Sequence, residues 1–230
     1  MRDLRLSAPV QVVVELARVL PLVDLVPLID SLFHRGLATA SELRSYVDFR
    51  DVRSRRLEQA LTLARHGSES AMESKTRLLL VWAGFPEPKC QWQVLVPWDV
   101  LTEGERTRVC ALLASRTARF VTGEGVTFRL DLAYPHLQLA IEYDGDHHTE
   151  PEQMEFDAIR RSALSRIGWA CEIATSSDLM SSPWALLQRL AASYDSRSTS
   201  PVILSPAWRN HFVDWNRPNF AGPGGVPRHT

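Results

Sequence analysis

The sequence predicts an α/β fold preceded by a small helical region, and three observations carry that reading. Residues 10 to 35 place apolar side chains at helical spacing, and a run of further helical segments follows. "VTFRLDL" (126 to 132) and "LQLAIEYD" (137 to 144) alternate apolar and polar residues strictly, with "AYPH" between them, which is the pattern of a hairpin of two half-buried strands. A capped helix from 149 to Gly168 then leads into a last strand, "WACEIAT", and a final helix, "PWALLQRLAASY".

Composition narrows the class. With 230 residues, 45% apolar and 23% charged, the chain has the makeup of a globular protein able to bury a sizeable core. A formal net charge of -1 argues against nonspecific coating of nucleic acid and leaves room for a local basic groove. Of the 26 basic residues only Lys75 and Lys89 are lysines, so phosphate contacts would fall to arginine. Cys90, Cys110 and Cys171 stand apart with no CxxC pair, which gives neither a disulfide framework nor a zinc site and makes a cytoplasmic location the expectation. Glu15, Arg18, Asp24 and Asp30 interrupt the apolar stretch from Val10 to Phe33, so no membrane span is expected.

Taken in order, the first helical stretch is expected to break at Pro21 and Pro27 and to stop at Gly36. "TASE" (39 to 42) has the form of a capping box opening a helix through Val47. The pair reads either as a helix-turn-helix or as two packed helices without a DNA role. "FRDVRSRR" (49 to 56) is a basic cluster before the helical pattern RLEQALTLA: Arg53, Arg55 and Arg56 read as a phosphate-contact strip or as a solvated helix start. Ser70 to Glu73 is a second capping box, opening a helix to Ala83 that stops at Gly84. "QWQVLVP" follows as a strand, and residues 101 to 117 as a helix. The expected boundaries are a helical region over 1–66, an α/β domain over 67–195 and an irregular tail over 196–230.

The hairpin carries the chemistry. A turn centred between His136 and Leu137 sets Asp131 opposite Glu142, on the face shared with Asp144. Like charges so placed destabilise a strand pair, and a bound divalent cation reverses that sign. "EYDGDHH" (142 to 148) extends the cluster with a turn at Gly145 and His148 before the next helix, while Asp146 and His147 read as bystanders. "DHHTEP" has the outward form of an HNH nuclease start, but that site needs an asparagine further on and the first in this chain is Asn210.

The set "MESKTRLLLVWAGFPEP", "RLDLAYPHLQLAIEYDGDHH" and "FDAIRRSALSRIGW" resembles the endonuclease-like family called domain of unknown function 559, relatives of the very-short-patch repair endonucleases in the PD-(D/E)XK nuclease superfamily. The likeness covers about residues 68 to 180 and rests on the motifs in combination. It implies a restriction-endonuclease-like three-layer core with a mixed central sheet, acting as a magnesium-dependent DNA endonuclease, with manganese as a substitute cation. Asp131 matches the first motif carboxylate, Glu142 the second, and Asp144 stands where the usual lysine would be; these three would bind the metal. His148 matches the motif histidine, Glu73 the first-helix acid, and Asp157 with Arg160 the following helix pair, with Arg160 toward phosphate. Ile173 stands where such relatives carry an arginine.

Those residue types suit the reaction. Phosphodiester hydrolysis must offset charge on the nonbridging oxygens and activate a water, and a hard, oxygen-ligated cation serves both. His148 has the right affinity for protons to shuttle one near neutral pH. Helix capping alone also explains Glu73, and surface ion pairs with Asp157 also explain Arg160 and Arg161. The competing functional reading is a nucleic-acid-binding or regulatory module, of the toxin-antitoxin or defence kind, that keeps the fold without cleavage.

Overall fold

A computed structural model describes residues 8–49, 55–114, 121–145 and 151–212. The chain divides into two compact units, residues 1–86 with 204–230, and residues 87–203.

The first unit is helical: α1 (Pro9–Leu16), α2 (Leu22–His34), α3 (Ala40–Phe49), α4 (Arg55–Leu63) and α5 (Ala71–Trp82). Its core gathers Val13, Leu25, Ile29, Leu43, Leu57, Leu61 and Leu78. Pro21 separates α1 from α2 as expected, whereas Pro27 lies inside α2 and leaves it continuous. A proline there removes one intrahelical donor, and the buried apolar face of α2 holds the helix through it. The Thr39 capping box forms in full: Glu42 accepts from the Thr39 N–H at 2.7 Å, and Thr39 Oγ1 accepts from the Glu42 N–H at 3.2 Å.

Asp30 is the polar centre of this unit. Its carboxylate meets Arg77 at 3.0 Å with both side chains about 1% exposed, and it accepts the Ser74 hydroxyl at 2.8 Å and the Arg65 N–H at 2.7 Å. Burial pushes the Asp30 carboxyl up despite Arg77. The expected boundary at 66/67 therefore moves: α5, which carries Arg77, packs on α2 and belongs with the helices. The tail is also corrected in part. A 3-10 turn over Pro206–Asn210 buries Trp208 completely, His211 stacks on Trp82 with ring centroids 3.8 Å apart, and Ser205 donates to the Ala83 carbonyl.

The second unit is α/β. Its sheet runs in the order β1 (Lys89–Pro97), β2 (Gly125–Tyr134), β3 (Leu139–Asp144), β4 (Ala170–Thr175). The first two pairings are antiparallel and β3 with β4 is parallel, so the sheet is mixed. Between β1 and β2 lies α6 (Glu103–Ala114), and α7 (Pro151–Arg166) makes the crossover that a parallel pair requires. After β4 come α8 (Ser176–Ser181) and α9 (Pro183–Asp195). The sequence reading did not anticipate α8, whose capping box Thr175–Asp178 was a legible signal. No described helix is long and apolar enough to cross a membrane.

The three anticipated glycine stops share one mechanism. Gly36, Gly84 and Gly168 all have positive φ, and each is followed by an N–H that reaches five residues back: Leu37 to Leu32, Phe85 to Leu80, Trp169 to Leu164. This is the Schellman closure, which needs a left-handed residue that glycine adopts without a Cβ clash.

Candidate functional site

The hairpin sets the geometry. Leu132 pairs with Ile141, Ala133 with Ala140 and Tyr134 with Leu139, so the next position in register puts Asp131 opposite Glu142. The turn that fixes this register is a short 3-10 segment, Pro135–Leu137, closed by Gln138 in the left-handed conformation. Backbone pairing stops at Leu132 and Ile141, and there Asp131 Oδ2 accepts the Tyr143 N–H at 3.0 Å. A side chain thus takes over from the ladder at the point where the two acids meet.

Glu142 continues in register with Ile173 on β4, and its Oε2 accepts from Arg160 at 2.7 Å. The two side chains are 12% and 18% exposed, so this is a largely desolvated ion pair. Arg160 also donates to the Arg129 carbonyl at 2.6 Å. The surface-pair reading of α7 is corrected: Arg160 turns inward to Glu142, and Arg161 donates to the Asp157 main-chain carbonyl at 3.2 Å. The helix spacing was legible, but the partner lies 18 residues away on another element.

An open cleft of about 680 Å³ lies over these groups, lined by Asp131, Glu142 and Asp144 from the hairpin, by Asp157, Arg160 and Arg161 from α7, and by Ile173 from β4. Met154 and Ala158 add an apolar strip to its wall, which the sequence reading did not single out. Burial raises the Asp131 carboxyl to about 6, the neighbouring Glu142 adds to the rise, and the Tyr143 N–H and Arg160 oppose it. Arg160 is held above its ordinary range: burial works against its charge, and Glu142 and Asp131 outweigh that. The Cys171 thiol is pushed up to about 11 by burial and then by Glu142, which makes it a poor nucleophile.

The other expected site residues fare differently. Glu73 lies on α5 in the helical unit, where its N–H donates to Ser70 Oγ at 3.1 Å and its Oε2 accepts the Glu69 N–H at 3.0 Å. That is helix capping with Ser70 as the N-cap, as anticipated; only the return bond differs, taken by the Glu69 N–H in place of the Ser70 N–H. Arg56 donates to the carbonyls of Arg18 and Leu20 in the connection between α1 and α2, and Arg55 is exposed at the start of α4. His148 and Arg53 lie outside the described residues.

A magnesium ion is implied by the resemblance alone, and the donor chemistry fits it. Asp131 and Glu142 are hard oxygen donors held close enough to repel, so the site is stabilised by positive charge. Among the described residues no three His, Cys, Asp or Glu side chains gather as a metal-holding group. Two carboxylates, with water in the other positions, are nevertheless a common way to hold magnesium.

No family model matches the chain, and no solved structure matches it. It is similar to two curated proteins of Mycobacterium tuberculosis, "Uncharacterized protein MT2308" from strain CDC 1551 / Oshkosh and "Uncharacterized protein Rv2248" from strain ATCC 25618 / H37Rv. Each is 27% identical over 194 residues, covering 82% of this chain. The chain spans 61% of the length of these relatives.

Proposed function

We propose that the α/β unit is a magnesium-dependent DNA endonuclease of the PD-(D/E)XK type, related to the family called domain of unknown function 559. The observation that carries this reading is the pair Asp131 and Glu142, set opposite one another where the hairpin ladder stops, at the floor of an open cleft that Asp144, Arg160 and Arg161 also line. A structural role for two adjoining, partly desolvated acids is costly, and a phosphodiester substrate with its cation gives them a purpose.

The bound cation would supply charge neutralisation at the phosphate and a more acidic water. The chain's own residues do the rest. Asp131 and Glu142 would hold the cation; the Tyr143 N–H fixes the rotamer of Asp131. Arg160 and Arg161 line the cleft and would offer guanidinium groups to a nonbridging oxygen, the charge-assisted pairing by which arginine recognises phosphate. His148 remains the proposed proton carrier, on its place in the motif.

A second reading has its own observation. The Arg160–Glu142 ion pair already neutralises one acid, which suits a module that binds nucleic acid without cutting it. Supercoiled, linear and mismatched DNA incubated with Mg2+ or Mn2+ separates the two, with an Asp131→Ala variant beside the wild type. Nicking by the wild type and not by the variant supports the endonuclease. Salt-dependent binding without nicking favours the module, and equal nicking by both proteins sinks the assignment of this site.

A further inference from the structure

We infer that Arg160 is a gate on cation entry: it holds Glu142 as resident counter-charge in the free protein and releases it when a substrate phosphate offers another anion, so that divalent cation and nucleic acid bind cooperatively. The inference rests on the proposed nuclease reading of the same cleft and adds a regulation that the reading does not require.

Three observations lead to it. The guanidinium sits on one of the two carboxylates that would hold the cation, at 2.7 Å from Glu142 Oε2, and is close enough to Asp131 for the two to influence each other. A dication arriving at Asp131 and Glu142 therefore meets a positive charge already in place, and their repulsion opposes binding. The second contact of Arg160 is to the main-chain carbonyl of Arg129, at 2.6 Å. One Nη2 makes both contacts, so a turn of the guanidinium head toward another anion frees Glu142 and the Arg129 carbonyl together, and the long arginine stem allows that turn. Finally, Arg160 lines the open cleft, 18% exposed, with Arg161 beside it. A phosphodiester entering there offers a bidentate partner of the same geometry as a carboxylate.

The consequence is a linkage. If the state with Glu142 released is a minor one in the free protein, apparent cation affinity falls by the fraction populated, and a ligand that captures Arg160 restores it. Reciprocity then makes the cation tighten nucleic-acid binding by the same factor.

Free Mn2+ can be counted by electron paramagnetic resonance during titration of the full chain, alone and with a short phosphorothioate duplex that resists cleavage. The wild type is expected to bind Mn2+ about tenfold more tightly with the duplex present. Arg160→Gln is expected to bind Mn2+ tightly without it and to show no further gain. Arg160→Lys, which keeps the charge but loses the planar fork, guards against a folding defect in the glutamine variant and is expected to shift in the same direction by less. A thermal melt adds a second readout: Mn2+ should raise the melting temperature of Arg160→Gln by more than that of the wild type, because Glu142 there lacks this arginine. Equal Mn2+ affinity in wild type and both Arg160 variants, or wild-type affinity indifferent to the duplex, overturns the gate while leaving the site assignment standing. Equal Mn2+ binding by wild type and Asp131→Asn overturns the site, and the gate with it.

Discussion

The Asp131 carboxylate accepts the Tyr143 N–H at 3.0 Å, at the position where the next main-chain rung between β2 and β3 would otherwise form. The pairing of the hairpin thus ends on a side chain that is also held beside a second acid. A charged group held there beside a second acid costs the fold stability.

Asp131→Asn is therefore expected to stabilise the protein. The folded state raises this carboxyl from its ordinary value to about 6. Between the two values the native state binds more protons than the unfolded chain, so stability falls as pH rises through that window. The asparagine keeps an oxygen for the Tyr143 N–H and carries no charge. The gain is expected to be about 1–2 kcal/mol above pH 6 and to vanish toward pH 4. Urea melts of both proteins at pH 4 and pH 8 measure it, and destabilisation at pH 8 would refute it.

Glu105 behaves in the opposite sense. It forms a two-pronged pair with Arg166, at 2.8 Å for each contact, and also caps α6 through Thr102. These hydrogen bonds, led by that from Arg166, lower its carboxyl to about 2. The stability it contributes is present above the ordinary carboxylate value and is lost as pH falls toward 2. In Glu105→Gln the decline in melting temperature between pH 5 and pH 2 is expected to be shallower than in the wild type. Parallel curves would remove Glu105 from the acid limb.

In the helical unit, Asp30→Ala leaves a buried guanidinium with its carboxylate partner gone and withdraws the acceptor of Arg65 and Ser74. Breaking a buried pair from one side costs about 3–5 kcal/mol. Replacing Asp30 and Arg77 together by apolar residues is expected to cost less than Asp30→Ala alone. A double-mutant cycle by denaturant melts tests that ordering.

Trp208 gives a paired test of the returning segment. It is fully buried, and its indole N–H has no hydrogen-bond partner among the described residues. Truncation to alanine is expected to cost about 3–5 kcal/mol. Trp208→Phe loses volume but also removes an unsatisfied buried donor, so it is expected to cost under half as much. Equal losses in the two variants would show that the donor is satisfied.

How far the sequence alone reaches follows from the range of the forces. Helix stops at Gly36, Gly84 and Gly168, the Thr39 cap and the hairpin register that opposes Asp131 to Glu142 were all legible. Each is decided within a few residues, by a left-handed conformation, a side-chain cap or a two-residue alternation. Only the tertiary structure placed α5 with α2, through an Asp30–Arg77 pair 47 residues apart, and returned residues 204–212 to the helical unit. It also turned Arg160 from its neighbour Asp157 to Glu142. A buried charge takes whichever partner the fold brings within reach after water is excluded, and sequence spacing holds no record of that choice.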